Sequence, residues 1–270
     1  MHFKTKELQL QYEGFLKTPF LWTANTILDI IPFEIPSTSS SFSSEITQRL
    51  RLGKLVERFV SFELEQLDFI NILAENIQIQ KDKITLGELD CILLKNNVPI
   101  HLEIVYKFYL YDNTVGNSEI EHWIGPNRKD SFIQKLTKLQ QKQFPLLHTE
   151  ECKLFLKTLS LDTTLMQQQT YFKAQLFVPL KVTINTPTLI NPKCIIGFYC
   201  TLKELTAFSN CKFYIPSKHN WLVWPHTHVN WLGYTDFLKL LSVYLAEQNA
   251  PLCWLKKPNG ELVKFFVVWW

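Results

Sequence analysis

Glycine is scarce, with 8 residues in 270, and neither Gly-x-Gly-x-x-Gly nor Gly-Lys-Ser/Thr occurs. The two commonest phosphate-cradling signatures are therefore missing, and no organic cofactor is expected. The six cysteines (Cys91, Cys152, Cys194, Cys200, Cys211, Cys253) form no Cys-x-x-Cys pair. This argues against a zinc ribbon, and a chain of this length needs no disulfide framework. No apolar run reaches the length of a membrane span, and the opening MHFKTKELQLQYEGF lacks a signal-peptide core. A cytoplasmic chain without a membrane partner is the expectation. A strong charge bias is missing too, since 28 Lys+Arg against 25 Asp+Glu leaves a formal +3. That permits DNA or RNA as a partner without arguing for either, because dedicated binders concentrate their basic residues.

What is present is an ordinary globular composition, 46% hydrophobic and 20% charged, with aromatics at 14%. Disorder and coiled coil are poor readings of such a chain. Its length supports a sizeable core, and one domain over residues 1–270 is expected. Residues 1–35 read as helix and then loop, and the serine-rich tract 37–44 reads as a short linker. Apolar residues at Leu52, Leu55, Val56, Phe59, Val60 and Leu67 predict a helix over 45–69, with Glu57 beside the stripe. Strands follow at 76–80, 84–94 and 100–110, the last two joined by a short Asn/Pro loop. A polar loop covers 112–130, and helices are predicted at 130–143 and 149–159. Strands are predicted at 174–182, 194–200, 221–223 and 262–269, and a further helix at 234–248. The order points to an α/β class leaning to α+β, with antiparallel neighbours early in the chain.

Side chains alternate faces along a strand, so parity sorts the residues of GELDCILLKNNVPIHLEIVYKFY. Glu88 and Asp90 share one face of the first strand. His101, Glu103, Val105, Lys107 and Tyr109 share one face of the second. Acids on adjacent strands with a lysine nearby suit metal-assisted phosphodiester cleavage, in which carboxylates hold Mg²⁺ or Mn²⁺ through oxygen. A cation also supplies a reason for carboxyls that would otherwise repel one another. The competing reading is a salt bridge from Glu88 or Asp90 to Lys107 on an amphipathic edge strand.

The phrases GELDCILL and HLEIVYKFYL resemble the core of the PD-(D/E)XK nuclease-like superfamily. With WIGPNRKDSFIQKL, KQF at 142–144, the Trp-rich segment 221–231 and GELVKFFVV, most of residues 50–270 resemble a bacterial family known as domain of unknown function 1853, placed in that superfamily. The resemblance implies a restriction-endonuclease-like core at 45–182, a small mixed β-sheet flanked by helices, with a C-terminal α/β elaboration at 183–270. It implies Asp90 and Glu103 as metal-binding acids, with Glu57 as a helix-borne third, and Lys107 as the catalytic lysine. It sets Gln143 where a nuclease subgroup places a glutamine that touches the substrate strand, and Arg128 and His101 are further candidate substrate contacts. The sequence departs from the superfamily pattern at Val105, where the lysine normally stands. Lys107 lies four residues after Glu103, about 13 Å along a strand instead of about 7 Å. Two functions stay open: a divalent-metal-dependent nuclease, or a catalytically inactive binding module of the same fold.

Other features carry less. His226-x-His228 with His219 could bind a metal, but no third ligand stands at suitable spacing. The turn Gly125-Pro126-Asn127 before the basic stretch 128–142 could set Arg128 near a phosphate, and it needs no function to be a turn.

Overall fold

In the computed structural model, which describes residues 2–23, 25–36, 41–46 and 50–270, the acid-bearing hairpin is the middle of a longer meander. In chain order the elements are α1 (His2–Lys17), β1 (Ile31–Pro32), α2 (Leu52–Glu65), β2 (Ile70–Lys81), β3 (Ile84–Lys95), β4 (Val98–Tyr111) and β5 (Trp123–Ile124). Then come α3 (Phe132–Lys138), a π-helical turn (Leu139–Gln143), α4 (Phe144–Leu146), α5 (Glu150–Thr158), β6 (Gln167–Pro179) and β7 (Ile195–Thr201). The chain closes with β8 (Lys212–Tyr214), α6 (Tyr234–Ala246), β9 (Leu252–Lys256) and β10 (Leu262–Val268). This is a mixed α/β architecture in two compact units. One comprises Phe20–Tyr106 and Gln134–Lys173, and the other comprises the chain up to Pro19 with Lys107–Ile133 and Ala174–Trp270.

In the unit built on Phe20–Tyr106, β2, β3 and β4 run antiparallel. Scarce glycine leaves Asn and Asp to make their turns. Asp82 and Lys83 adopt φ of 47° and 69°, and Asn96 and Asn97 adopt 50° and 65°. Positive φ at both central residues is what a two-residue hairpin turn needs to match strand twist. The β3–β4 connection is therefore Asn96-Asn97 alone, and Pro99 already pairs with Leu94 inside the ladder. β4 lies between β3 and β6, so it is an interior strand and not an amphipathic edge. α2 packs on β2, and α4 and α5 pack on β3 and β2. The α2 stripe Leu55, Val56, Phe59, Val60 and Leu64 is buried, with Phe42 edge-on to Phe59 at 5.0 Å. Below α5, Ile79, Leu89, Ile92, Leu147, Cys152 and Leu156 make a core cluster.

The other unit pairs β7 in parallel with β6 and β10, and adds β9 and β8 antiparallel. Its core centres on Phe213, which stacks on Phe237 at 4.3 Å with Phe265 beside them. Among the described residues no helix is long and apolar enough to cross a membrane.

The helix predicted over 45–69 is shorter than its apolar pattern suggested. It starts at Leu52 after an extended Arg51 and ends at Glu65. Residues 47–49 of that expectation, and 37–40 of the serine tract, lie outside the described residues. The strand predicted at 221–223 does not form. A 3₁₀ turn covers Lys218–Trp221, and the Trp221 carbonyl accepts from the buried Lys264 ammonium at 2.6 Å, so it enters no ladder. β9 was not predicted, because all but its last residue is buried and a short apolar run shows no alternation.

Candidate metal centre

The ladder between β3 and β4 runs from Lys95 opposite Val98 to Cys91 opposite Leu102. At the next step Asp90 Oδ2 accepts the Ile104 N–H at 2.9 Å. A carboxylate thus replaces a ladder bond where the strands part. Glu103, fully buried at 0% exposure, lies near enough to Asp90 for its charge to raise the Asp90 carboxyl. An acid so buried is rare unless it is partnered.

Both oxygens of Glu103 are committed. Oε1 meets His101 Nε2 at 3.1 Å, and Oε2 accepts from the Gln143 amide. The partners of Gln168 fix the His101 tautomer. Gln168 Nε2 donates to the Phe144 carbonyl at 2.7 Å, so it is the amide nitrogen that also meets His101 Nδ1, at 3.1 Å. Nδ1 is then the acceptor, and the imidazole proton sits on Nε2, donated to Glu103. Burial pushes the His101 pKa down to about 4, against a rise from the Asp90 charge. The ring is a neutral donor.

Gln143 reaches Glu103 because of the π-helical turn. Phe144 N–H donates to Leu139 C=O, five residues back, and Pro145, which has no N–H, follows. In an α-helix, residues eight apart differ by about 80° around the axis. One extra residue in the turn returns Gln143 to the face of Lys135, and Lys135 Nζ donates to Gln143 Oε1 at 2.6 Å. A chain of bonds therefore runs from Lys135 through Gln143 to Glu103.

The third element is α2. Lys54, Glu57, Arg58 and Ser61 recur at i, i+3, i+4 and i+7, a polar stripe beside the apolar one. It faces β2 at Asn76, whose φ of 54° is left-handed. That residue breaks the alternation of faces, and Glu75 and Asn76 both meet the stripe. Ser61 donates to Glu75, and Lys54 Nζ donates to Asn76 Oδ1 at 2.6 Å. Lys54 also donates to Glu57 Oε2 at 2.8 Å and to Glu88. One oxygen each from Glu57, Glu88 and Asp90 lies within 4.8 Å of the others.

The surroundings disfavour charge on Glu57, Asp90 and Glu103. Burial raises the Glu57 pKa to about 7, with the Lys54 bond opposing and the Asp90 and Glu88 charges adding. Burial, then the charge of Glu103, raises Asp90, while Ile104 N–H, Lys135 and Lys54 pull it back. Burial likewise raises Glu103 against Lys135. For Lys54, burial works against the ammonium, but its bonds to Glu57 and Glu88 outweigh that and raise its pKa. A cleft of about 450 Å³, lined by Glu45, Ile46, Leu50, Lys54, Glu57, Arg58 and Asn76, adjoins the cluster.

Of the residues singled out by sequence, Asp90, Glu103, Glu57, His101 and Gln143 come together in one unit. Lys107 and Arg128 lie in the other unit. Lys107 Nζ pairs with Asp130 at 2.6 Å. Arg128 pairs with Asp112 at 2.8 Å and covers the Trp270 ring at 4.5 Å. The expected salt bridge to Lys107 is not what Glu88 makes, since its partner is Lys54. Sequence reasoning passed over Lys54, Asn76 and Gln168, and took Lys135 for one residue of a basic stretch. The 54-57-58-61 stripe was the available signal for Lys54.

Residues 33–268 match the family model described as Domain of unknown function (DUF1853). The chain belongs to that family. The matched span holds every acid of the cluster together with Lys54, Lys135, Gln143 and Gln168, and leaves α1 outside. Neither the curated proteins nor the solved structures give a match.

Proposed function

We propose that this member of the family is a divalent-metal-dependent phosphodiesterase of PD-(D/E)XK type, with a restriction-endonuclease-like core and DNA or RNA as substrate. The observation that carries the reading is the convergence of Glu57, Glu88 and Asp90 within 4.8 Å from α2 and β3, with Glu103 beside Asp90. The donor set fits Mg²⁺ or Mn²⁺, since all its atoms are hard carboxylate oxygens and the raised pKa values of Glu57 and Asp90 reflect how poorly the site tolerates uncompensated charge. Bound there, such a cation would offset charge on a scissile phosphate and acidify a water.

The chain's own residues have separable tasks. Asp90, Glu57 and Glu88 offer oxygens to the cation. Glu103 fixes Asp90 and is itself held from two sides by Gln143 and neutral His101, the kind of outer support that orients a ligand. Lys54, bonded to Glu57 and Glu88, and Lys135, bonded to Gln143, are ammonium groups set beside the acids in this unit, and they fill the charge-offsetting place that the resemblance gives to Lys107. The test is Mg²⁺- or Mn²⁺-dependent cleavage of single- and double-stranded DNA and RNA by wild type and Asp90→Ala. Cleavage lost in the variant is expected, and equal cleavage by both sinks the reading.

One observation favours the inactive binding module. Lys54 already gives Glu57 and Glu88 a cation, and an ammonium in that place satisfies the acids without a metal. Calorimetric titration separates the two readings, because the module takes up no Mn²⁺.

A further inference from the structure

We propose that Lys54 exchanges partners. Without a divalent cation its ammonium is the counter-ion of Glu57 and Glu88. With one bound, it turns into the adjoining cleft and, together with Arg58, holds a phosphate of the substrate strand. The inference rests on the phosphodiesterase reading and adds to it where the substrate lies.

The competition follows from shared oxygens. Lys54 Nζ sits on Glu57 Oε2 at 2.8 Å, on Asn76 Oδ1 at 2.6 Å and on Glu88, and the two acids are also cation donors. A divalent ion on those carboxylates takes the oxygens that Lys54 uses and offsets two of the three carboxylate charges, so the ammonium loses its hydrogen bonds and most of its attraction. The side chain is free to respond, being 41% exposed on a flexible four-carbon stem. It already lines the cleft, so the movement needs no change in α2.

Arg58 makes that cleft suit a phosphate. It lines the same wall one helical turn on, and its guanidinium is held only loosely, by Glu75 at 3.8 Å. In the metal-free state Lys54 and Arg58 on this wall are matched by Glu45 and Glu57. A divalent cation held by Glu57, Glu88 and Asp90 takes up Glu57 and leaves two basic groups about 6 Å apart facing, among the described residues of the cleft, Glu45 alone. The cleft then draws an anion, and the fork of an arginine beside an ammonium matches phosphate oxygens. Metal binding thus precedes substrate binding.

The test uses the full chain, with Mn²⁺ titrated calorimetrically and a labelled, phosphorothioate-substituted single-stranded oligonucleotide followed by anisotropy in saturating Mn²⁺. Lys54→Met is expected to bind Mn²⁺ about three- to tenfold more tightly, having lost the competing ammonium. The same variant is expected to bind the oligonucleotide about tenfold more weakly. Arg58→Gln weakens the oligonucleotide to a similar degree and leaves Mn²⁺ affinity unchanged. The opposite signs for Lys54→Met are the signature, since a merely structural lysine would lower both. Mn²⁺ uptake that depends on Asp90 but does not tighten in Lys54→Met overturns this proposal alone. Absence of Mn²⁺ uptake in every variant overturns the phosphodiesterase reading and this proposal together.

Discussion

Asp90 and Glu103 meet where β3 and β4 part: the last ladder pair is Cys91 with Leu102, and one step on Asp90 takes the Ile104 N–H at 2.9 Å. Two carboxyls at such a point do not both ionise cheaply. The fold nevertheless spends Gln143, His101, Gln168 and Lys135 on holding them there.

That relationship sets a pH dependence. Glu57, Asp90 and Glu103 all have folded pKa values above their unfolded ones, Glu57 at about 7. Between roughly pH 4.5 and 7 these three acids hold more protons in the folded state, outweighing the one proton that buried neutral His101 gives up, and stability falls as pH rises through that window. Scanning calorimetry of metal-free protein should show Tm about 5 °C lower at pH 8 than at pH 5. Mn²⁺ should restore it at pH 8 and do little at pH 5. A Tm that climbs across the window contradicts the assignment of raised pKa values.

Neutral His101 is a donor held by Gln168, which separates two substitutions. His101→Gln keeps a side-chain N–H for Glu103, and His101→Phe leaves buried Glu103 Oε1 without its donor. The phenylalanine variant is expected to lose about 1–3 kcal/mol of stability in urea unfolding, and the glutamine variant less. Equal losses would show that the ring's packing on Phe144, at 5.9 Å, matters more than its proton.

Much of the fold was legible because its signals are local. The β3–β4 hairpin was visible in period-two alternation around Asn96-Asn97, and α6 and β10 in their own periodicities. Parity placed Glu88 and Asp90 together and Glu103 on the next strand. Three things had no local signal. The left-handed φ of Asn76 breaks alternation inside a strand that otherwise reads as regular. The π-helical turn that aligns Gln143 with Lys135 cannot be told by pattern from an α-helix. Lys54 and Gln168 join the site only through pairing of elements distant in sequence. Lys107 shows the converse, for parity put it on a suitable face and Asp130, 23 residues on, decides its partner.

The lysines can be told apart directly. Lys107→Met should leave Mn²⁺ affinity within about twofold of wild type, because the ammonium engages Asp130. Lys135→Met removes a cation that holds down the pKa of both Asp90 and Glu103. It should move the pH midpoint of Mn²⁺ uptake upward. A midpoint moved by Lys107→Met and not by Lys135→Met would reverse their roles.

The most direct measurement is calorimetric titration of Mn²⁺ into wild type and Asp90→Asn at pH 7, repeated in two buffers of different ionisation enthalpy. Carboxyls raised toward neutrality must give up protons to take a cation. The account predicts one site in wild type with proton release, and affinity at least about tenfold weaker in Asp90→Asn. Equal uptake by the two proteins, or uptake without proton release, contradicts a metal centre built on Asp90.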